Sequence, residues 1–382
     1  MQPWVSFLEE KKPGILQKLG ELVGIESGSY DKHGVDQVGE FVAAELDRLN
    51  FAIDVRPNPE LGNLMIGRKV YGGKGRVLIL AHLDTVWPKG TLKDWPYAVT
   101  RDGFATGPGV GDMKGGLIVA LTAIEALMAL GPCLLQAITV LLVPDEELGS
   151  IHSRSLIEEE AREADWALVM EPARPNGAVV TARGALASFI LKAEGRTAHC
   201  GSNYSTGISA VRELAGKVEA IEALSRPEDF RIANIGIFRG GEARQVIPGS
   251  AEMHIDLRAS NDHEIEWLME KLKEIALTPR NPGVRLSLEG GQTRPAFVRS
   301  ASVERLYLLA AGIAQQMQIL LPEVYSSGGS DGNFTAAMGI PTLDGLGPVA
   351  WDICSRQERI SVESLYQKSR LLFELMAALP GQ

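Results

Sequence analysis

The feature that most constrains the fold is a set of short apolar segments that each end in charged side chains. The segments are RVLILAHLD, AITVLLVPDEE and WALVMEP, and helical patterns such as LIVALTAIEALMALG separate them. Apolar strands that alternate with crossover helices are typical of an α/β layer with a largely parallel sheet. The sequence therefore predicts a mostly parallel mixed sheet flanked by helices.

A change of pattern near Gly184 divides the chain. From 184 to 292 the patterns follow the order strand, helix, strand, strand, helix, strand, which is typical of a βαββαβ ferredoxin-like unit. A chain of 382 residues is also too long for one core of ordinary size. We predict a discontinuous catalytic domain, 1–183 and 293–382, with an inserted domain at 184–292.

Charge and cysteine content limit the function classes. The formal net charge is −10 and no block of Lys and Arg occurs, which argues against nucleic acid or an anionic membrane as a partner. Residues 1–20 lack an apolar core after a basic start, and no apolar stretch reaches the roughly 18 residues of a membrane span. The three cysteines are few and widely spaced, as in a reducing compartment. We expect a cytoplasmic protein.

Three adjacent carboxylates follow the second apolar segment. Asp145, Glu146 and Glu147 stand directly after AITVLLVP. Adjacent like charges repel one another and lose hydration where burial begins. The turn is therefore either solvated or in contact with a cation.

Other candidate ligands occupy comparable positions. His82 and Asp84 end the first segment and share a face, so the Asp84 carboxylate can accept from one ring nitrogen and leave the other for a metal. A histidine satisfied by a local aspartate is the alternative. Asp112 lies in the glycine-rich GPGVGDMKGG, which lacks the spacing of a dinucleotide site, and Glu171 ends the third segment. Because ligands bind at the carboxyl ends of parallel strands, this layout favours a metal ion, zinc above all.

Several motifs in order resemble a known family, the co-catalytic zinc peptidases and deacylases. That family includes glutamate carboxypeptidase, acetylornithine deacetylase, succinyl-diaminopimelate desuccinylase and aminoacylase. The motifs are AHLDTV, GPGVGDMKGG, DEELGS, MEPA, RTAHCG, QVIPGSAEMHIDLR and SGGSDGNF. The resemblance covers nearly the whole chain, and KGTLKDWPY and ARGAL look most like the glutamate carboxypeptidase branch. It implies a metal-dependent hydrolase that cleaves the amide bond of an N-acyl amino acid or small peptide with a free carboxylate.

The resemblance implies a role for each matching residue at the strand ends. His82 and Glu171 would hold one zinc ion, Asp112 would bridge two, and Glu147 would hold the second. Glu146 would be the general base, and Asp84 would support catalysis beside His82. Asp145 would remain a turn acid. Two zinc ions per chain are expected, with cobalt and manganese as alternatives.

The resemblance also implies roles for residues in the inserted domain and in the segment that follows it. His199 would polarise the scissile carbonyl, and Arg258 would bind the free carboxylate of the substrate. Gln245 stands where the family usually has Asn. The remaining expected substrate contacts are backbone amides of the glycine-rich turn, at Ser327, Gly328, Gly329 and Ser330. The family also implies a homodimer formed through the inserted domain, which would act as a lid.

The chain departs from the family at its last metal ligand. The family has a histidine where GPVAWDICS places Cys354, and the six histidines all lie elsewhere. The thiol is either a zinc ligand, which would make that zinc a weaker Lewis acid, or a small buried hydrophobe. Trp351 and Asp352 replace small glycines in the same segment and put the substrate pocket in doubt.

Two other functions compete with the carboxypeptidase hypothesis. One is a deacylase similar to acetylornithine deacetylase or the desuccinylase. The other is a non-catalytic homologue that binds carboxylated metabolites. The non-catalytic alternative is disfavoured by the presence of Glu146, His199 and Arg258. A protein that has lost its catalytic activity need not keep a base, an electrophile and a carboxylate-binding residue together.

Overall fold

The computed structural model describes residues 2–381. Its helices are α1 (Gln2–Val23), α2 (Lys32–Arg48), α3 (Gly116–Ala129), α4 (Arg154–Arg162), α5 (Ala210–Glu222), α6 (Asp262–Leu277), α7 (Ala301–Gln316), α8 (Gly332–Ala337) and α9 (Val362–Ala378). Its strands are β1 (Ala52–Arg56), β2 (Leu64–Val70), β3 (Arg76–His82), β4 (Ala98–Val99), β5 (Phe104–Thr106), β6 (Ala137–Val143), β7 (Trp166–Val169), β8 (Val179–Arg183), β9 (Ala185–Glu194), β10 (Ala198–His199), β11 (Ile232–Gly240), β12 (Val246–Ile247), β13 (Ser250–Ala259), β14 (Arg285–Arg294), β15 (Glu323–Ser326), β16 (Thr342–Leu343), β17 (Ala350–Trp351) and β18 (Arg359–Ser361).

The described residues divide into two compact units. The first comprises the residues up to Ala182, then Val298–Tyr325, and those from Ser330 on. The second comprises Arg183–Phe297 together with the turn Ser326–Gly329.

A six-stranded sheet forms the centre of the first unit. Its strand order is β1-β2-β6-β3-β7-β16. The four strands from β6 to β16 pair in parallel, and β1 and β2 extend the sheet in antiparallel fashion. The prediction of a mixed, mostly parallel sheet flanked by helices is confirmed.

Strand β3 shows why this sheet is buried on both faces. Val77, Ile79 and Ala81 belong to the large core that also contains side chains of α2, α3 and α9. Leu78 and Leu80, which point the opposite way, pack in a second cluster with side chains of α4 and α8. The near-continuous apolar sequence of β3 thus fills two layers.

Side-chain caps define where several helices begin. Ser209, Asn261, Ser300 and Ser361 precede α5, α6, α7 and α9, and each accepts a hydrogen bond from a backbone N–H three residues later. Helix α2 ends at Arg48, and Asn50 follows with a φ of 58°. Such a left-handed residue stops a helix.

The second unit contains a four-stranded antiparallel sheet. Its order is β11-β13-β9-β14, and α5 and α6 contribute to its apolar core. Along the chain the order is β9, α5, β11, β13, α6, β14, apart from the short strands β10 and β12. The lid and dimerisation roles of this unit stay predictions.

Within residues 2–381, no helix combines the length and the apolar character that a membrane span requires.

Candidate metal centre

The carboxyl ends of three neighbouring strands bring the predicted ligands together. Strands β6, β3 and β7 are adjacent and parallel, with His82 in register with Val143 and Leu80 in register with Val169. The acidic turn begins two residues after Val143, and Glu171 follows Val169 by two. The sheet therefore places the imidazole between the carboxylates of its two neighbouring strands.

His82 is buried and both ring nitrogens have polar neighbours. Its Nδ1 lies 2.9 Å from the carbonyl oxygen of Asp84, and its Nε2 lies 3.1 Å from Oδ1 of Asp112. Glu171 Oε1 is 3.7 Å from the same Nε2. When Nδ1 donates to the Asp84 carbonyl, the lone pair of Nε2 faces the carboxylates and is available to a metal ion.

The carboxylate of Asp84 has a further role besides the one expected beside His82. Its Oδ1 is 3.4 Å from Nδ1 of His82, and the carbonyl oxygen of Asp84 is the nearer acceptor. The carboxylate also accepts from the backbone N–H groups of Glu146 and Glu147, at 3.2 and 3.3 Å. It also accepts from the hydroxyl of Ser29 at 2.7 Å. Asp84 therefore fixes the acidic turn as well as the histidine.

Asp112 lies in an irregular turn, Val110–Gly115, before α3. Gly109 starts this turn with a φ of 71°, and a Cβ there would lie 2.6 Å from a methyl group of Thr85. The glycine-rich sequence is thus needed for a close approach to the end of β3.

Glu358 supports this turn and was not identified from the sequence. Its Oε1 accepts from the backbone N–H groups of Gly111 at 2.8 Å and Asp112 at 3.2 Å. Burial, with a smaller contribution from the Asp112 carboxylate, raises the pKa of Glu358 to about 7. No local spacing connects this residue to Asp112, because 246 positions separate them.

Two overlapping triads of ligand atoms form around His82. Among the described residues, the ligand atoms of His82, Glu146 and Glu171 lie within 4.8 Å of one another. Those of His82, Asp112 and Glu147 do the same. One imidazole and four carboxylates are a donor set that suits zinc.

The electrostatics of this cluster also indicate a cation site. Oε1 of Glu147 is buried and has no hydrogen-bond partner. Burial, followed by repulsion from Asp112, raises the pKa of Glu147 to about 9. The same two causes raise the pKa of Glu171 well above its ordinary value. A bound dication would neutralise these carboxylates, so the residues fit a metal.

Cys354 lies at the edge of the cluster. Its thiol donates to Oδ2 of Asp112 across 3.6 Å, but it belongs to neither triad of described residues. Burial and the carboxylates of Asp112 and Glu147 raise the pKa of the thiol. Cys354 is close enough to Asp112 to share a metal with it after deprotonation.

Trp351 and Asp352, which stand where the family has glycines, contact other side chains of the first unit. Trp351 contacts Phe104 edge to face, with 5.4 Å between the ring centroids. Asp352 pairs with Arg359 at 3.3 Å, and the guanidinium of Arg359 also lies over the Trp351 ring. Trp351 is thus held by contacts to β5 and β18.

Asp145 points into the protein. It is fully buried and accepts hydrogen bonds from the N–H of His152, at 2.8 Å, and from the hydroxyl of Ser153. Asp145 therefore connects the acidic turn to the start of α4.

His199 and Gln245 lie together in the second unit. The exposed His199 accepts at Nδ1 from the backbone N–H groups of Gly201 and Ser202, at 3.1 and 3.2 Å. The neutral ring therefore carries its proton on Nε2. The N–H of Cys200 donates to the carbonyl of Gln245 at 2.9 Å, which holds the two segments together.

Arg258 lies next to the glycine-rich turn. Its Nε donates to Oδ1 of Asp256 at 2.7 Å, and its Nη1 donates to the carbonyl of Ser327 at 3.3 Å. Arg183 donates to the carbonyls of Gly328 and Gly329, at 3.0 and 3.1 Å. The structure thus brings Arg258 and this turn together.

The expected contact at Ser330 needs correction. Ser330 is fully buried, its N–H donates to Oδ1 of Asn333 at 2.9 Å, and its hydroxyl donates to Asp344 at 2.6 Å. The N–H of Gly328 also has a partner, the hydroxyl of Ser326. Ser330 does not offer the backbone amide that the prediction required.

Comparisons with known proteins identify the family. A sequence model of the family described as Peptidase family M20/M25/M40 matches residues 78–378. The chain belongs to peptidase family M20. M20 membership makes it a metal-dependent hydrolase of amide bonds, a peptidase or deacylase, as predicted.

Individual proteins are similar to this chain over almost its full length. Carboxypeptidase G2 of Pseudomonas sp. (strain RS-16) is 30% identical over 379 residues, which cover 96% of this chain and 91% of that protein. Succinyl-diaminopimelate desuccinylase of Ectopseudomonas mendocina (strain ymp) is 28% identical over 360 residues. These cover 89% of this chain and 92% of that protein. The fold is similar to that in the crystal structure of aminopeptidase PepT from Bacillus cereus, with a TM-score of 0.78 and 22% sequence identity. The match covers 97% of this chain and 99% of the PepT chain.

Proposed function

We propose that the chain is a zinc carboxypeptidase or deacylase that cleaves an N-acyl amino acid or small peptide with a free carboxylate, with glutamate as the preferred amino acid. The observation that carries this proposal is the pair of overlapping triads around His82. The similarity to a protein named carboxypeptidase G2 supports the carboxypeptidase activity.

Five side chains would hold the metal ions. His82 and Glu171 would bind the first zinc, Asp112 would bridge both, and Glu147 and Cys354 would bind the second. When bound, the two ions would polarise the scissile carbonyl and lower the pKa of a water molecule. The buried Oε1 of Glu147, which has no protein partner, supports this assignment.

Glu146 would move the proton. Its backbone N–H donates to Asp84, which holds the residue at the strand end beside His82 and Glu171. Its carboxylate would accept the proton of the attacking water and then donate it to the leaving nitrogen. A proton carried in this way lets the amine leave as a neutral group.

The second unit would supply the groups that orient the substrate. The Nε2–H of His199 would donate a hydrogen bond to the scissile carbonyl oxygen, in agreement with the tautomer that Gly201 and Ser202 impose. Arg258 would bind the free carboxylate with the guanidinium N–H groups that do not donate to Asp256 and Ser327. The amide of Gly329 and the side chain of Gln245 remain the other proposed contacts, because the N–H of Gly328 donates to Ser326.

A deacylase is the second candidate. The similarity to a protein named succinyl-diaminopimelate desuccinylase favours it. Both candidates share the metal site and differ in the acyl group removed. A cytoplasmic homodimer formed through the second unit is also proposed, and the three free cysteines agree with a reducing compartment.

The proposal is tested by hydrolysis of N-acylglutamates and N-acetylornithine with zinc-loaded protein. We expect release of free glutamate, and a loss of about 100- to 10,000-fold in kcat for Glu146→Gln with its metal content retained. Glu10→Gln, at an exposed position, is the matched control and should keep full activity. Absence of hydrolysis for every substrate, or a fully active Glu146→Gln, would overturn the proposal.

A further inference from the structure

A small cavity lies between α7, α9 and the turn that precedes β8, within the first unit. Its volume is about 50 Å³, several times the roughly 10–15 Å³ that one water molecule needs. None of the proposed metal ligands lines it. The cavity thus has room for a ligand of a few non-hydrogen atoms, at a place that the proposed function does not use.

Apolar side chains form most of the cavity wall. Ala314, Leu321 and Leu371 are buried, and Met317 borders them. Leu320 also lines the cavity and is 84% exposed, so the cavity meets solvent at this residue. A ligand can therefore enter past Leu320 and bury apolar surface further in.

Lys368 is the one ionisable residue among the described residues that line the cavity. It is only 5% exposed, and its Nζ donates to the carbonyl oxygens of Gly177 at 3.2 Å and Gly345 at 3.5 Å. Both distances exceed about 3.0 Å, the usual length of an N–H···O bond. Since an ammonium group has three N–H donors, at least one has no acceptor in the described chain. Gly177 lines the cavity too, which places the ammonium group at the cavity wall.

The positive charge of Lys368 has no counter-ion. Within residues 2–381, no carboxylate forms an ion pair with this side chain. Burial lowers the pKa of the amine to about 7. An ammonium group that is buried without an anion loses hydration and gains little in return. The cavity beside Lys368 is therefore suited to an anion.

We propose that this cavity binds a short monocarboxylate, with the carboxylate at Lys368 and the alkyl chain against Met317, Leu321 and Leu371. One carboxylate matches the single positive charge, whereas a dianion would keep an unpaired charge in an apolar site. A halide ion would pair with the ammonium group but would leave the apolar wall uncovered. The inference is independent of the proposed function, because no metal ligand takes part in it.

Affinity should depend on both the charge and the alkyl chain of the ligand. Acetate, propionate, butyrate and the neutral propionamide are titrated by calorimetry into the zinc-loaded protein. We expect the affinity to rise about two- to fourfold for each methylene group from acetate to butyrate, and propionamide to show no binding.

A substitution assigns the binding to the cavity, because a carboxylate can also bind to the zinc ions. Lys368→Met keeps an unbranched side chain and removes a buried charge, so we expect it to fold with a thermal midpoint no lower than that of the wild type. It should weaken the binding of propionate at least about tenfold. Lys192→Met, at an exposed lysine of the second unit, is the matched control and should leave the affinity unchanged.

A signal from Lys368 itself separates the cavity from the zinc ions. In protein labelled with ¹³C at lysine Cε, the Lys368 resonance is assigned by its absence in Lys368→Met. Propionate should shift this resonance and raise the pKa of Lys368 above its value of about 7, because a bound carboxylate stabilises the ammonium form. Propionamide should do neither.

Three results would overturn the inference. They are an unchanged Lys368 resonance and pKa in the presence of propionate, equal propionate affinity of the wild type and Lys368→Met, and chloride bound as tightly as propionate. Hydrolysis of N-acylglutamates enters none of these comparisons. A failure of the proposed function would therefore leave the carboxylate site standing.

Discussion

The hydroxyl of Ser29 donates a hydrogen bond of 2.7 Å to Oδ2 of Asp84, 55 positions further along the chain. Both residues are buried. The same carboxylate accepts from the N–H groups of Glu146 and Glu147, so Ser29 helps to orient the group that positions the acidic turn. The segment that carries Ser29 is held beside the residues that follow β3, because the N–H of Ser29 donates to the carbonyl of Thr85 and the N–H of Thr85 donates to the carbonyl of Ser27.

Replacement of Ser29 tests this positioning role. Ser29→Ala should lower kcat about tenfold with a smaller change in KM, because Asp84 loses a donor that orients it. Ser29→Thr, which keeps the hydroxyl, should restore most of the activity. Ser27→Ala is the matched control, since the buried Ser27 hydroxyl has no partner, and it should behave as the wild type. Equal kcat values for Ser29→Ala and Ser27→Ala would contradict the role.

The stability of the metal-free protein should depend on Glu147. Burial raises the pKa of this carboxyl in the folded state to about 9, from an ordinary value near 4.5. The neutral form is therefore favoured by folding, and this stabilisation is complete below pH 4.5 and is lost as the pH rises through 9. The thermal midpoint of Glu147→Gln, measured without metal, should rise relative to that of the wild type between pH 5 and pH 9. If the midpoint of Glu147→Gln minus that of the wild type falls or stays constant over this range, folding does not raise the pKa of Glu147.

Glu358 should control the binding of metal through Asp112. Glu358→Ala removes the acceptor of the Gly111 and Asp112 N–H groups and should weaken zinc binding about 10- to 100-fold, measured by competition with a chelator. Glu358→Gln keeps an acceptor oxygen and should bind zinc more tightly than Glu358→Ala. Wild-type affinity in Glu358→Ala would mean that the Asp112 turn holds its conformation without this carboxylate.

The sequence predicted the parts of the site that depend on strand ends. His82, Glu146, Glu147 and Glu171 follow apolar segments, and adjacent parallel strands necessarily bring such ends together. Asp112 could be assigned because its glycine-rich turn opens α3. These inferences needed only local patterns and the direction of the strands.

The parts that were missed depend on long-range contacts. Ser29 and Glu358 lie far from their partners in the chain, and neither belongs to a motif with a chemical signature. The acceptor for His82 is a backbone carbonyl, which a sequence does not distinguish from the nearby carboxylate of Asp84. Ser330 was misassigned because its burial and its contacts with Asn333 and Asp344 arise from tertiary packing.

A cobalt-substituted protein tests whether Cys354 is a ligand. A thiolate bound to cobalt gives a charge-transfer band in the near ultraviolet, and we expect this band in the wild type because the thiol lies 3.6 Å from Asp112. The band should disappear in Cys354→Ser. It should persist in Cys200→Ser, which removes another exposed thiol. A wild-type protein without the band would make Cys354 a bystander.

The metal content per chain tests the central claim most directly. It is measured by elemental mass spectrometry on protein purified without chelator and dialysed against micromolar zinc. The proposed ligand set, in which His82 binds one ion and Asp112 is shared with a second, predicts two zinc ions per chain. One zinc ion, or none, would contradict the two-metal site.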